Sequence, residues 1–393
     1  MILSATNSIK TKLINIWVVF EATRIYGPIS RSGIADVTGL SKQAASELVD
    51  ELLTMKFVRE EKPSGRRVGK PPTPIRINPS GAYTLGFHVD FGQLASVAID
   101  LTGEVLARDD HALEDLTPQR AVDDIAQTAA RLLEATGIPR DRLLGIGLAT
   151  PGPFAVAGLS PPRLPGWDGV ELKKLLQEAT GLSVSLANDG QCAVTAEWRF
   201  GEVARYFANF VYVYVGMGLG SGVMINGAAF GGASGNAGEF GHTTAVPGGH
   251  PCICGKSGCL ETYVSVDSAM RHLAAEGIEV ESVADFEARF DARHPAIATW
   301  IETGIEPLRI GLNTIENLFD PQTIMLGGNA PEWLIDALIA GVQPLYPSVG
   351  GRNREIPRLI KAELGRDAVP RGAAVLPLLS RLNPQHRQLN PFA

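Results

Sequence analysis

Four side chains able to bind a soft metal fall within one short stretch of this sequence. In GEFGHTTAVPGGHPCICGKSGCLETYVS, residues 238–265, His242, Cys252, Cys254 and Cys259 are spaced H-x9-C-x-C-x4-C. Three thiolates and one imidazole make the donor set of a closed, tetrahedral structural zinc site, so Zn2+ is the expected ion. Gly248, Gly249, Gly255 and Gly258 let the intervening loop fold tightly around it. His250 competes as the fourth donor, but it stands two residues before Cys252 on the same turn. Simultaneous chelation there is geometrically harder, which favours His242. The fourth cysteine, Cys192, is alone in a helical stretch and reads as a small buried residue. Three cysteines within eight positions, in a chain without a secretory leader pattern, point to a metal rather than to disulfides.

A second chemistry is written in the charge. The chain carries 35 Lys and Arg against 42 Asp and Glu, a net charge of −7. Residues 1–80 nonetheless hold 12 basic against 7 acidic side chains, whereas residues 81–393 hold 23 against 35. A basic head on an acidic body suits a DNA-binding module joined to a domain with another task. In the head, Ile9, Leu13, Ile16, Trp17 and Phe20 have helical spacing and predict a helix over 9–26, stopped by Gly27 and Pro28. Ser30 and Ser41 stand where they would cap a second and a third helix, with Gly39 and Leu40 in the turn between them.

The third helix would bury Ala45, Leu48, Val49 and Leu52 and expose Ser41, Lys42, Gln43 and Ser46 near its start. In a helix-turn-helix that end enters the major groove. Gln43 is the best base reader, because its amide pairs bidentately with adenine, while Lys42 suits a phosphate. After Phe57, two extended runs flank a basic tip and read as a β-hairpin wing. Its Arg66, Arg67 and Lys70 would follow the DNA backbone or enter the minor groove. Pro71, Pro72 and Pro74 restrict the same stretch, which would double as a linker of limited flexibility.

The elements behind the chemical residues alternate. From Tyr83, strands over LGFHVDFG and LASVAIDLTGEVLARD turn at Thr102-Gly103, followed by a helix at 118–136 and the apolar strand LLGIGLAT. A helix at 170–180, the strand SVSLAND and a helix at 190–200 complete an α/β lobe. A second lobe opens with two strands around Gly216-Met217-Gly218-Leu219-Gly220-Ser221-Gly222. It continues through helices near 266–275 and 297–318, the strand TIMLGG, a helix at 331–340 and a last helix from Arg371. The division is thus 1–80 for a winged helix-turn-helix with its linker, 81–200 for the first lobe and 201–393 for the second. The final helix is expected to return to the first lobe. Each lobe begins with a glycine-turned hairpin, a hint of duplicated architecture.

GIGLATPGP (145–153), LANDGQCAVTAEWRFGE (186–202), VGMGLGSGVMINGAAFGGASGNAGEFGH (215–242) and FDPQTIMLGG (319–328), with the cysteine segment, resemble the ROK family of repressors, open reading frames and kinases. The similarity runs over about residues 81–380. It implies an α/β, two-lobed, actin-like or ribonuclease-H-like sugar-kinase fold, here preceded by an α+β winged helix. In the family's kinases the sugar lies between the lobes, on side chains matching Asn188, Asp189, Glu239, His242 and Glu261. Directional carboxylates and amides are well suited to sugar hydroxyls. His242 would give one ring nitrogen to zinc and turn the other to the sugar.

Asp189 also matches the family's catalytic base. The kinases, however, carry D-x-G-G-T in the opening hairpin, where this chain has Asp90-Phe91-Gly92-Gln93-Leu94. Gln93 removes a close backbone approach, and Leu94 is expected to set an apolar side chain against a phosphate.

The resemblance therefore implies a regulator without kinase activity. It would be a sugar-responsive repressor of a carbohydrate uptake or catabolism operon. Operator DNA and a sugar or sugar phosphate would be its partners, and a homodimer or a dimer of dimers its active form. A sugar kinase and a regulator controlled by a protein partner stand as the alternatives. No run of about 20 apolar residues suggests a membrane span, and a cytoplasmic location is expected.

Overall fold

The computed structural model describes residues 8–61, 73–90, 92–113, 117–153, 167, 169–350, 355–383 and 386. The head consists of α1 (Ser8–Tyr26), β1 (Ile29–Ser30), α2 (Arg31–Thr38), α3 (Lys42–Thr54), β2 (Val58–Glu60) and β3 (Pro74–Ile77). Ser30 Oγ accepts from Gly33 N–H at 3.0 Å and starts α2. Ser41 Oγ accepts from Ala44 N–H at 3.2 Å and starts α3. Between them Gly39 closes α2 at φ 72°, in the left-handed region that glycine enters without a steric penalty. β3 pairs antiparallel with both β1 and β2, which gives the head a three-stranded sheet beside its three helices.

The apolar stripe of α1 differs from its sequence reading. Ile16, Val19 and Phe20 are buried, but Leu13 is 40% exposed. Burial is concentrated in the second half of the helix, because that half packs on α3 and also on the body.

The first lobe contains β4 (Tyr83–Asp90), β5 (Gln93–Asp100), β6 (Val105–Arg108), β7 (His111–Ala112), α4 (Pro118–Thr136), β8 (Leu143–Thr150), α5 (Leu172–Thr180), β9 (Val184–Asn188) and α6 (Asp189–Phe200). The second contains β10 (Phe210–Val215), β11 (Leu219–Ile225), β12 (Ala228–Ala229), α7 (Val266–Ala275), α8 (Val283–Arg289), α9 (Pro295–Phe319), β13 (Ile324–Gly327), α10 (Glu332–Gly341), β14 (Leu359–Lys361) and α11 (Ala368–Leu382). The sheets run β6-β5-β4-β8-β9 and β12-β11-β10-β13-β14. The two orders correspond strand for strand, except that the first sheet has an additional short strand, β7, paired with β5. In both, an antiparallel hairpin is continued by two parallel strands. This is the two-lobed α/β fold that the resemblance implied.

The last helix, α11, lies across β4, β5, β8, β9 and α6 of the first lobe. Gly147 of β8 and Gly372 of α11 permit this approach. A Cβ at Gly147 would overlap the Ala373 carbonyl, and one at Gly372 would overlap the carbonyl of Cys192. Cys192 is a free, fully buried thiol in that contact.

The head is docked on the body rather than tethered to it. Leu101 of the first lobe and Leu378 and Leu382 of α11 join the head's own core. Arg199 of α6 donates to Glu21 of α1 at 2.6 Å, with the two side chains 1% and 10% exposed. Arg24 donates to Glu21 at 2.8 Å and to the Arg199 carbonyl at 2.9 Å. Of the prolines expected to stiffen a linker, Pro74 opens β3, opposite Ser30, and Pro71 and Pro72 lie outside the described residues.

Candidate functional site

Three segments meet in one cleft between the lobes. β9 ends at Asn188, whose extended backbone and side chain cap α6 by accepting from Gly190 N–H at 2.8 Å. Asp189 is the first residue of α6, and its carboxylate accepts from the same N–H at 2.7 Å. Glu239 and His242 flank a single 3-10 turn at Phe240–His242, and Glu261 sits in another at Leu260–Thr262, where it accepts from Leu219 N–H at 3.1 Å. All five side chains singled out from the sequence line this cleft.

Asp90 and Tyr214 line it as well, and neither was singled out as a sugar contact. Asn329, just beyond β13, donates to Asp90 at 2.7 Å and so bridges the two lobes. The sequence offered only the position of Asp90 at a strand end beside a glycine turn. Gly152 leaves space at the mouth: a Cβ there would press on Glu239 Oε1 and Asn188 Nδ2.

The electrostatics of the cleft are one-sided. Asp90, Asp189, Glu239 and Glu261 line it, and among the described residues no Lys or Arg does. Burial, reinforced by the charges of Asp90, Glu239 and Glu261, drives the Asp189 carboxyl well above the ordinary carboxylate range, against the pull of the Gly190 N–H. Such a site disfavours anions and offers several acceptors to hydroxyl groups.

Beside the cleft, the donor atoms of His242, Cys252, Cys254 and Cys259 all lie within 4.8 Å of one another. His242 Nδ1 is 3.4 Å from Cys252 Sγ, and Cys254 Sγ is 3.5 Å from Cys259 Sγ. These separations suit four ligands around one tetrahedral ion. His242 Nε2 points the other way and lies 3.9 Å from Glu239 Oε2. The loop is drawn in by Cys252 N–H donating to the Lys256 carbonyl at 2.8 Å and by Lys256 Nζ donating to the His242 carbonyl at 2.6 Å. Gly258, at φ 84°, passes so close to Val246 that a Cβ would collide with its carbonyl. His250 is outside the cluster, its ring tilted against that of Tyr263 with centroids 4.8 Å apart.

The hairpin that resembles a phosphate loop departs from expectation at one position. Leu94 is 1% exposed and packs in the first-lobe core with Phe87 and Leu85, so it is not presented to a phosphate. Gln93 is exposed at the turn, and Phe91 lies outside the described residues. In the second glycine run, Gly218 faces Glu261 and lines the cleft with Gly220, while Gly222 abuts the Gly190 carbonyl in α6.

On the head, Lys42 and Gln43 are exposed at the start of α3, where Gln43 Nε2 donates to Glu47 at 3.0 Å. Ser41 is committed to its cap. Ser46 accepts from Arg31 at 3.1 Å, in a cluster that also ties Arg31 to Asp50 and Glu60. Arg66, Arg67 and Lys70 lie outside the described residues. Among the described residues, no helix is long and apolar enough to cross a membrane.

Known proteins resemble this chain in sequence and in fold. The chain is 28% identical over 353 residues to the xylose repressor of Bacillus spizizenii, covering 87% of this chain and 88% of that protein. A solved ROK family transcriptional regulator, described as a homolog of the E. coli Mlc protein, superposes with a TM-score of 0.72 at 24% identity, over 94% of this chain and 96% of that one. A ROK hexokinase from Thermus thermophilus matches with a TM-score of 0.61 at 30% identity, over 76% of this chain and 99% of its own. The ROK family model matches residues 87–378, a span that takes in both lobes and the cleft between them, and the chain belongs to the ROK family.

Proposed function

We propose that the chain is a sugar-responsive transcriptional repressor, with operator DNA held by the head and a sugar held between the lobes. The observation that carries this reading is the convergence of Asn188, Asp189, Glu239, His242 and Glu261 on one acidic cleft whose floor helix, α6, ends against the head. The likeness to a xylose repressor extends over 87% of the chain and supports a DNA-binding role. The acid-lined cleft favours an uncharged sugar over a sugar phosphate, because a phosphate would meet four carboxyl groups and no Lys or Arg.

Zn2+ fits the His242, Cys252, Cys254 and Cys259 donor set. When bound it would brace the loop that carries His242 and Glu239 and fix the ring so that Nε2 faces the sugar. Gln43 would read a base edge and Lys42 would meet a phosphate, with Ser41 capping the helix and Ser46 held by Arg31 beside them, and Arg66, Arg67 and Lys70 following the backbone. A two-fold homodimer, or a dimer of such dimers, on a palindromic operator supplies the affinity a single head lacks. Phosphoryl transfer is not expected, since Gln93 occupies the position of a kinase glycine.

Titration of upstream DNA from the chain's own locus, with and without a panel of neutral pentoses and hexoses, tests the reading. One sugar should weaken operator binding, and operator should weaken that sugar's binding by the same factor. Retention of DNA whatever sugar is added would refute it. Sugar-dependent ADP release abolished by Asp189→Asn would favour the kinase alternative.

A further inference from the structure

The joint between head and body holds a second cavity, of about 340 Å³. Its wall carries Arg24 of α1, Arg76 of β3, Arg199 of α6, Arg371 of α11 and Arg205 from the turn after α6. Four of these guanidinium groups are stacked on rings. Arg24 lies 4.7 Å from the centroid of Trp198, Arg371 4.7 Å from that of Phe200, Arg205 5.0 Å from that of Tyr206 and Arg199 5.6 Å from that of Phe20. Stacking occupies the face of a guanidinium and leaves its N–H edge in need of acceptors.

Those edges are only partly filled. Glu21 accepts from Arg24 Nε and Arg199 Nη1, Glu61 lies 3.4 Å from Arg76 Nη2, and the Gly103 carbonyl accepts from Arg371 Nη2. Among the described residues, Arg24 Nη2, Arg199 Nη2, Arg205 Nε and Arg371 Nε are buried with no acceptor. Arg199 itself is 4% exposed. Those four nitrogens are packed away from the cavity itself, but its lining holds five arginines and, among the described residues, no Asp or Glu, an excess of positive charge that an anion would balance.

We propose that this cavity binds a small phosphate-bearing anion and that the anion braces the head against the body. Guanidinium edges match phosphate oxygens in pairs, and a tetrahedral anion presents enough acceptors for several arginines at once. The cleft between the lobes has the opposite character, so the two cavities select different ligands: an uncharged sugar there, an anion here. Because the wall is built from the head, α6 and α11 together, the anion binds only the docked arrangement and shifts the population toward it.

Calorimetric titration of the full chain with inorganic phosphate, at ionic strength held constant with chloride, tests this. One phosphate per chain should bind, and Arg205→Gln/Arg371→Gln should weaken binding by about tenfold or more. The half-exposed Arg76→Gln should weaken it by a few-fold while leaving the circular dichroism spectrum unchanged, which covers the case in which the double variant fails to fold. Glucose 6-phosphate should bind equally well to the wild type and to Glu239→Gln, which places its phosphate outside the cleft. Absence of heat up to about 10 mM phosphate, affinity indifferent to all three arginines, or a phosphate effect seen only as competition with operator duplex would each overturn the proposal. The last result would assign the arginines to a DNA phosphate.

Discussion

Asp189 and Arg199 stand at the two ends of a single helix. Asp189 opens α6 in the cleft, and ten residues on, about 15 Å along the axis, Arg199 is buried against Glu21 of the head. A change at one end of a stiff rod is delivered to the other as rotation or translation.

Glu21→Gln should therefore separate sensing from response. It leaves Arg199 buried beside a neutral partner, at a cost of about 3 kcal/mol or more. The melting temperature should fall, sugar affinity measured by calorimetry should hold, and the sugar-induced change in operator affinity should shrink. In a double-mutant cycle, Arg199→Met should recover much of the lost stability in the Glu21→Gln background, because an uncompensated buried charge is removed.

Glu239→Gln should lower sugar affinity by about 1.5 kcal/mol or more, over tenfold, because a charged acceptor for a hydroxyl becomes a neutral amide. Calorimetry measures it directly. Operator affinity without sugar should not change, since Glu239 touches nothing in the head.

Cys254→Ser should empty the metal site. Structural zinc supplies on the order of 10 kcal/mol in small peptide sites, so the loop at 242–259 should lose its fold and take sugar binding with it. Metal content by elemental analysis, together with hydrogen exchange over this loop, reports both effects. Unchanged sugar affinity in metal-free protein would show that His242 does not couple the two sites.

Glu197 provides a pH test. Burial, joined by the nearby Glu363 charge, pushes its carboxyl up to about 7 against the pull of backbone N–H groups and Arg371, and it is fully buried. Its folded pKa exceeds the unfolded value, so the folded state binds the extra proton between about pH 4.5 and 7. Stability should decline across that window as pH rises, by up to about 3 kcal/mol, and then level off. Glu197→Gln should flatten that contribution in denaturant titrations run from pH 5 to 8.

On the head, Gln43→Ala should cost about 1 to 3 kcal/mol on the best operator and relax base preference at one position. Lys42→Ala should weaken all sequences alike and reduce the salt slope by about one unit. Gel shifts at several salt concentrations distinguish the two.

Most of the cleft was legible because its parts are contiguous motifs. Asn188-Asp189 sit together at a strand end, and Glu239, His242 and the cysteines fall in one glycine-rich segment. Strand and helix order followed from periodicity in the same way. What escaped reading depends on partners distant in sequence. Glu21 meets Arg199 across 178 positions, and Asp90 meets Asn329 across 239. The five arginines of the joint come from separate elements and form no pattern in the chain. Leu94 was misplaced because a substitution in a motif does not reveal which way the strand turns its side chain. α8 was missed because only Phe286 of its residues is buried, which leaves no stripe to detect.

Leu378 and Leu382 complete the core of a head whose own residues are translated well before α11. During synthesis the head must wait, its apolar underside uncovered, until α11 has left the ribosome. A truncated product ending before α11 would thus lack a finished reading head, so incomplete copies would be poor competitors for the operator.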